Sequence, residues 1–260
     1  MGVKPALAVI AAAATPAGFL QAHQAPSGAF AEPGGSPGSL LTAWAALGLR
    51  SNGADTGGAL DYLVAHEDDL SRPTELSLVA CAEAVLGHDP ATLLQRLPSK
   101  PTAVNDAVWE IFALRQSNRP APAALVAYIK GAQARSGGFP WVKGVPPDSN
   151  VTAWSLQALR ATGVKGAPIA RALTYLRKLQ APSGGFRLVA GREPDAQSTA
   201  LVIQAFVAAG AKPPPRAFTY LASLRRSDGS YRYSRAYATT PVWVTAQVLP
   251  ALLRKPFPLR

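Results

Sequence analysis

Four segments of this chain repeat one pattern, and that repeat constrains the fold more than any other feature. They are Phe19-Leu20-x3-Gln24-x3-Gly28-x-Phe30, Tyr128-Ile129-x3-Gln133-x3-Gly137-x-Phe139, Tyr175-Leu176-x3-Gln180-x3-Gly184-x-Phe186 and Tyr220-Leu221-x3-Arg225-x3-Gly229-x-Tyr231. The last three copies lie 47 and 45 residues apart, and the 109 residues between the first and second leave room for two more units. A weaker copy, Tyr62-Leu63-x3-Glu67, follows the first by 43 residues, and a degenerate one sits around Leu93 to Leu97. A unit of this length cannot bury its apolar face alone, so stacked neighbours must cover it.

Within a unit, the aromatic pair and the Gln fall on a helix. In 168–180, Ile169, Leu173, Leu176 and Leu179 share one face at helical spacing, and Pro168 suits a first turn. The Ser-Gly-Gly that follows is a stop, because Gly takes the left-handed turn cheaply. The next aromatic is expected to plug the gap between units, and the Gln amide to bond the backbone of the following loop. A second helix then begins. Six such segments, 39–48, 74–87, 102–116, 149–160, 197–210 and 240–253, are apolar nearly all round and should be buried. The first set carries the charge, at Arg171, Arg177, Lys178, Arg216 and Arg225. The expected fold is all-α: an (α/α)6 toroid of six inner and six outer helices in one domain over 1–260. No segment reads as a strand. Trp154, Phe206 and Trp243 are expected in the core.

At 260 residues the chain is long enough for a sizeable core. Its net charge is +11, but Lys and Arg are spread over the outer helices with no run of five, and no stacking aromatics sit beside basic clusters. Nucleic acid is therefore not an expected partner. The lone Cys81 lies in an apolar helix and excludes an intrachain disulfide. Residues 1–17 admit two readings. Lys4 followed by the apolar run 6–14 has the form of an export signal, yet a cut near Ala17 would remove most of outer helix 1. An exported location is favoured slightly over a cytoplasmic one. The run is too short for stable membrane insertion.

The repeat resembles that of the squalene-cyclase and protein-prenyltransferase superfamily, over nearly the whole chain. The resemblance implies the toroid and several chemistries. Class II cyclases of this type protonate an alkene with Asp-x-Asp-Asp, which this chain lacks; its adjacent pair Asp68-Asp69 follows Glu67 in a turn. Prenyltransferases hold zinc with Asp, Cys and His, whereas Cys81 and the histidines His23, His66 and His88 do not form such a set, and no metal is expected. No nucleophile elbow or phosphate loop is present, and no catalytic residue is assigned.

A third branch fits more of the residues. The 246–257 segment, Ala-Gln-Val-Leu-Pro followed by Lys255 and Phe257, is similar to the end of the helical domain of the cobalamin carriers intrinsic factor and transcobalamin. Ser198-Thr199 with Gln204, and Asp148 before Thr152-Ala153, are similar to theirs too. The resemblance implies a corrinoid ligand, with a separate β-rich capping chain in place of the carriers' second domain. Independently, several inner helices open with polar residues, which either cap them or converge on one mouth of the toroid. Asn105, Asp106, Asp148, Asn150, Asp195, Gln197 and Thr240, with Trp141, Tyr231 and Tyr233, would form a rim of hydrogen-bonding groups and flat apolar faces suited to a small molecule. Gln157, Gln204 and Gln247 need partners in their apolar helices. The expected function is non-catalytic binding of a bulky, partly apolar small molecule, specifically a corrinoid. The alternatives are an isoprenoid enzyme of cyclase or prenyltransferase type with an unfamiliar site, and a protein-interaction scaffold.

Overall fold

The computed structural model describes residues 15–259. The alternative readings of the N-terminal segment concern mainly residues 1–14, which lie outside the described residues. The helices are α1 (Pro16–Gln21), α2 (Ser39–Ser51), α3 (Ala59–Ala65), α4 (Pro73–Val85), α5 (Ala91–Gln95), α6 (Val104–Gln116), α7 (Ala123–Gly131), α8 (Ser149–Ala161), α9 (Ala167–Lys178), α10 (Ala196–Ala208), α11 (Pro215–Leu224) and α12 (Pro241–Leu252). The even-numbered helices are the six apolar segments read from the sequence. Each packs on the next, and α12 returns to α2, so the inner helices close a ring. The odd-numbered helices, mostly shorter, pack outside it. Closure is tight: a Cβ on Gly48 of α2 would lie 2.8 Å from the carbonyl oxygen of Ala246 on α12.

The repeat pattern is the wiring of this ring. The Gln133 amide donates to Gly137 O at 2.9 Å within its own turn and to Pro168 O at 2.8 Å at the start of the next outer helix. Gln24 does the same with Gly28 O and Thr56 O. Gly137 has φ +93°, and a Cβ there would sit 2.4 Å from Arg171 O, so both conformation and close approach exclude a side chain. The aromatic plug is buried at Phe30, Phe139, Phe186 and Tyr231. Its backbone N–H donates to a threonine of the following inner helix: Phe30 to Thr42, Phe139 to Thr152, Phe186 to Thr199 and Tyr231 to Thr245, at 2.8–3.0 Å. These bonds satisfy N–H groups that burial would otherwise leave unpaired.

Two expectations need correcting. A short antiparallel pair exists, β1 (Phe186–Arg187) with β2 (Pro194–Asp195), although the sequence suggests no strand. It arises because the plug aromatic pairs with the residue before the inner helix, as Phe139 also does with Asp148 through a single bridge; here the pairing runs one residue further. Trp154 and Phe206 are buried as expected, but Trp243 is only partly so. It faces a cavity.

A tryptophan-lined bowl as candidate functional site

The N-terminal turns of α2, α4, α6 and α12, with the second turn of α8, surround a bowl of about 580 Å³. All five tryptophans of the chain line it: Trp44, Trp109, Trp141, Trp154 and Trp243. Trp44, Trp109 and Trp154 each occupy the sixth position of their helix, and Leu78 holds the same position in α4. The repeat thus aims equivalent side chains at one point. Trp109, 1% exposed, is the floor, with Trp44 edge-on at 5.2 Å and Trp154 at 5.7 Å between ring centroids. Trp141, 48% exposed, stands on the rim. Leu40, Leu41 and Leu78 complete the apolar wall.

Polar groups are few. The lining includes Glu32, Glu75, Thr74, Asn105 and Thr240 and, among the described residues, no Lys or Arg. Every carboxylate around the mouth is already an acceptor within the chain. Glu32 takes the Val242 and Trp243 N–H groups at 2.9 and 2.8 Å, capping α12. Glu75 accepts from Arg72 N at 3.4 Å, and its carboxylate lies 3.8 Å from the Arg72 guanidinium. Asp106 accepts from Ala103 N and from the Thr74 and Thr102 hydroxyls at 2.7–3.0 Å. Three of the helix N-termini that face the bowl, those of α4, α6 and α12, are therefore matched by internal negative charge. Two buried atoms at the wall have no partner among the described residues: Trp154 Nε1 and Asn105 Oδ1.

The rim expected from the sequence divides. Asn105, Thr240 and Trp141 line the bowl. Asp148 and Asp195 cap α8 and α10, accepting from Val151 N at 2.8 Å and Ser198 N at 2.7 Å. Burial pushes both carboxyls up, Asp195 to about 6, despite the opposing pull of these hydrogen bonds. Asn150 accepts from the Ser149 hydroxyl at 3.2 Å. Asp106 and Gln197 are buried beside their caps, Tyr231 plugs its unit, and the Tyr233 carbonyl accepts from Ala196 N at 2.7 Å. None of these seven is among the bowl's lining residues, and α10 contributes none. Thr240 is not a side-chain cap; it sits at φ +47°, because Glu32 caps α12 from the opposite end of the chain. Glu32 was not recognisable beforehand, being 210 residues from its partner in sequence. The tryptophan ring was recognisable from the shared helical register.

The glutamines serve the other end of the ring. Gln204 Nε2 donates to Lys255 O and Phe257 N donates to Gln157 Oε1, both at 2.9 Å. They seat Phe257 beneath Trp109 and Phe112, 5.9 and 5.7 Å away. The residues that carry the likeness to cobalamin carriers thus act as scaffold here: Asp148 caps, Thr152 and Thr199 receive plug N–H groups, and Gln204 holds the tail. A second, larger cleft of about 780 Å³ lies at the ring seam, between 19–33 and 226–241. It shares Glu32 and Thr240 with the bowl but holds no tryptophan.

No protein-family model and no curated protein matches this chain. Solved structures do. The type II terpene cyclase MstE from Scytonema is 15% identical with TM-score 0.72, over 96% of this chain and 98% of that one. A protein from Actinoplanes is 18% identical with TM-score 0.67, over 95% and 99%. The ent-copalyl diphosphate synthase from Streptomyces platensis is 19% identical with TM-score 0.61, over 83% of this chain; the match spans half of the synthase. At these identities the likeness shows the fold, an α/α toroid of the terpene-cyclase kind. No helix among the described residues is long and apolar enough to cross a membrane.

Proposed function

We propose that the bowl binds an uncharged, bulky isoprenoid-type molecule without transforming it. The observation that carries this is the gathering of all five tryptophans around one cavity of about 580 Å³. Flat aromatic walls give a hydrocarbon large contact area. The absence of Lys and Arg from the lining, together with Glu32 and Asp106 at the helix ends, disfavours a diphosphate headgroup. A ligand hydroxyl or carbonyl that reached Trp154 Nε1 or Asn105 Oδ1 would complete their hydrogen bonds. The fold supports the isoprenoid part of this ligand class: an arginine-to-alanine variant of MstE has been solved with its substrate geranylgeranyl dihydroxybenzoate, in a structure with TM-score 0.66 and 13% identity to this chain.

A second reading is proton-initiated isoprenoid chemistry, favoured by one observation: Glu75 reaches the bowl wall, where tryptophan faces could stabilise a carbocation. Against it, Glu75 already serves as an acceptor and ion-pair partner of Arg72. The corrinoid expectation fits this bowl less well, since a ligand rich in amides finds few polar groups on its wall. A covering chain, if one exists, would sit over the open mouth at Trp141.

The test uses tryptophan emission, since every tryptophan is at the site. Geranylgeraniol should quench it saturably, geranylgeranyl diphosphate should bind at least tenfold more weakly, and Trp243→Ala should weaken binding about tenfold or more with little change in melting. Saturable calorimetric binding of cobalamin, with no isoprenoid binding, would sink the proposal. Cyclised product from the parent protein, lost in Glu75→Gln, would replace it with the second reading.

A further inference from the structure

The buried side chain worst served by this fold lies far from the bowl's chemistry. Glu83, in the last turn of α4, is 0% exposed, and neither carboxylate oxygen has a hydrogen-bond partner among the described residues. An isolated buried carboxylate is costly unless something positive meets it. Its neighbours are Glu67, in the 3-10 turn Glu67–Asp69 after α3, and His88, just past the end of α4. One ligand-type atom from each of the three lies within 4.8 Å of the others. Burial, and then the like charge of Glu67, push the Glu83 carboxyl up to about 8.

The arginine bonded to this turn does not resolve this. Arg96 donates to Glu67 O and Leu70 O at 2.8 and 2.5 Å, and approaches Asp68 at 4.0 Å. Its guanidinium is therefore committed to the outer turn. The same bonds hold the Glu67 backbone, and His88 N donates to Glu83 O at 2.9 Å, so all three ligands hang from anchored backbone.

We propose that Glu67, Glu83 and His88 form a divalent-cation site suited to Zn²⁺, clipping the outer turn after α3 to the end of α4. Two carboxylates and an imidazole are a donor set that zinc accepts, leaving one position for water. Bonds of about 2 Å place tetrahedral ligands roughly 3.3 Å apart, so the three atoms close in modestly. This runs against the sequence expectation of no metal, which looked for a set built on Cys81. That thiol is buried, its pKa pushed up to about 12, and it is not one of the cluster. The three ligands lie 16 and 5 residues apart, with no recognisable zinc spacing.

The test is calorimetric titration of the chelator-treated full-length protein with ZnCl₂, alongside thermal melts with and without zinc. One equivalent should bind and raise the melting temperature. Glu83→Gln and His88→Ala should each weaken binding tenfold or more, while His23→Ala, on a distant helix end, should leave it unchanged. Glu83→Gln should melt no earlier than the metal-free parent, because the amide matches the carboxyl in shape and carries no charge to bury beside Glu67; lost binding is then not lost folding. The proposal is overturned if the parent binds no stoichiometric zinc. It is equally overturned if Glu83→Gln and His88→Ala bind as the parent does.

Discussion

The two ends of the ring are built from one aromatic column but finished differently. Trp109 belongs to both. On one side it is the floor of an open bowl, with Trp44, Trp154 and Trp243 around it. On the other it packs against Phe112 and Phe257, and the tail that carries Phe257 is fastened by Gln157 and Gln204. An (α/α)6 ring leaves an axial gap at each end. Here the segment after α12 fills one gap, and aromatic surface is left at the other. Large exposed apolar surface is unusual in a monomer and marks a place where something binds. The sealed end is therefore expected to report stability, and the open end carries the proposed function.

The largest expected effect tests the seal. Phe257→Ala should cost about 3–5 kcal/mol, the usual range for truncating a buried Phe, because the column above it cannot fully collapse. Denaturant unfolding measures it. A variant as stable as the parent would show that the tail is not a plug, and the contrast between the ends would lose its basis.

The next largest concerns α10, the inner helix that sends nothing to the bowl. Its cap, Asp195, is 3% exposed, and burial raises its carboxyl from 3.8 to about 6. Between these values the folded state holds more protons than the unfolded chain, so this group's contribution to stability falls as pH rises from about 4 to about 6. Asp195→Asn keeps an adequate cap and does not titrate. Relative to the variant, the parent should lose roughly 2–3 kcal/mol between pH 4 and pH 7. A stability difference independent of pH would mean that the cap's hydrogen bonds offset its burial entirely, leaving this sector no different from its open neighbours.

The contrast between the ends was half legible in the sequence. The repeat gave the ring because each motif residue has one mechanical task. Gln bonds two carbonyls, Gly admits a neighbouring backbone, and the aromatic fills the gap; such tasks leave local spacing behind. The capping role of Asp148 and Asp195 was legible for the same reason. The bowl was less so. Its tryptophans carry no motif; three of them share only a sixth position, in helices that start 65 and 45 residues apart, and the rim was sought among polar residues instead. Glu32, which caps α12 across the ring closure, and the cluster of Glu67, Glu83 and His88 depend on contacts between units that no spacing within a unit encodes.

The smallest effects separate the glutamines, which look alike in sequence. Gln157 Oε1 is the acceptor for the buried Phe257 N–H, and its Nε2 donates to Ala153 O at 3.3 Å. Gln157→Leu leaves that N–H without a partner and should cost about 1–3 kcal/mol. Gln247 is equally buried in α12, but neither of its amide atoms has a partner among the described residues. Replacing it with Leu removes two unmet polar atoms while keeping an apolar side chain of similar reach. Its effect should be near zero or slightly stabilising. The pair of melts is therefore diagnostic. If Gln247→Leu destabilises as much as Gln157→Leu, Gln247 has a partner outside the chain, such as ordered water, and the polar groups of the inner helices cannot be divided into those that hold the tail and those that hold nothing. If Gln157→Leu alone melts early, the amide–tail bond is what distinguishes the sealed end from the open one.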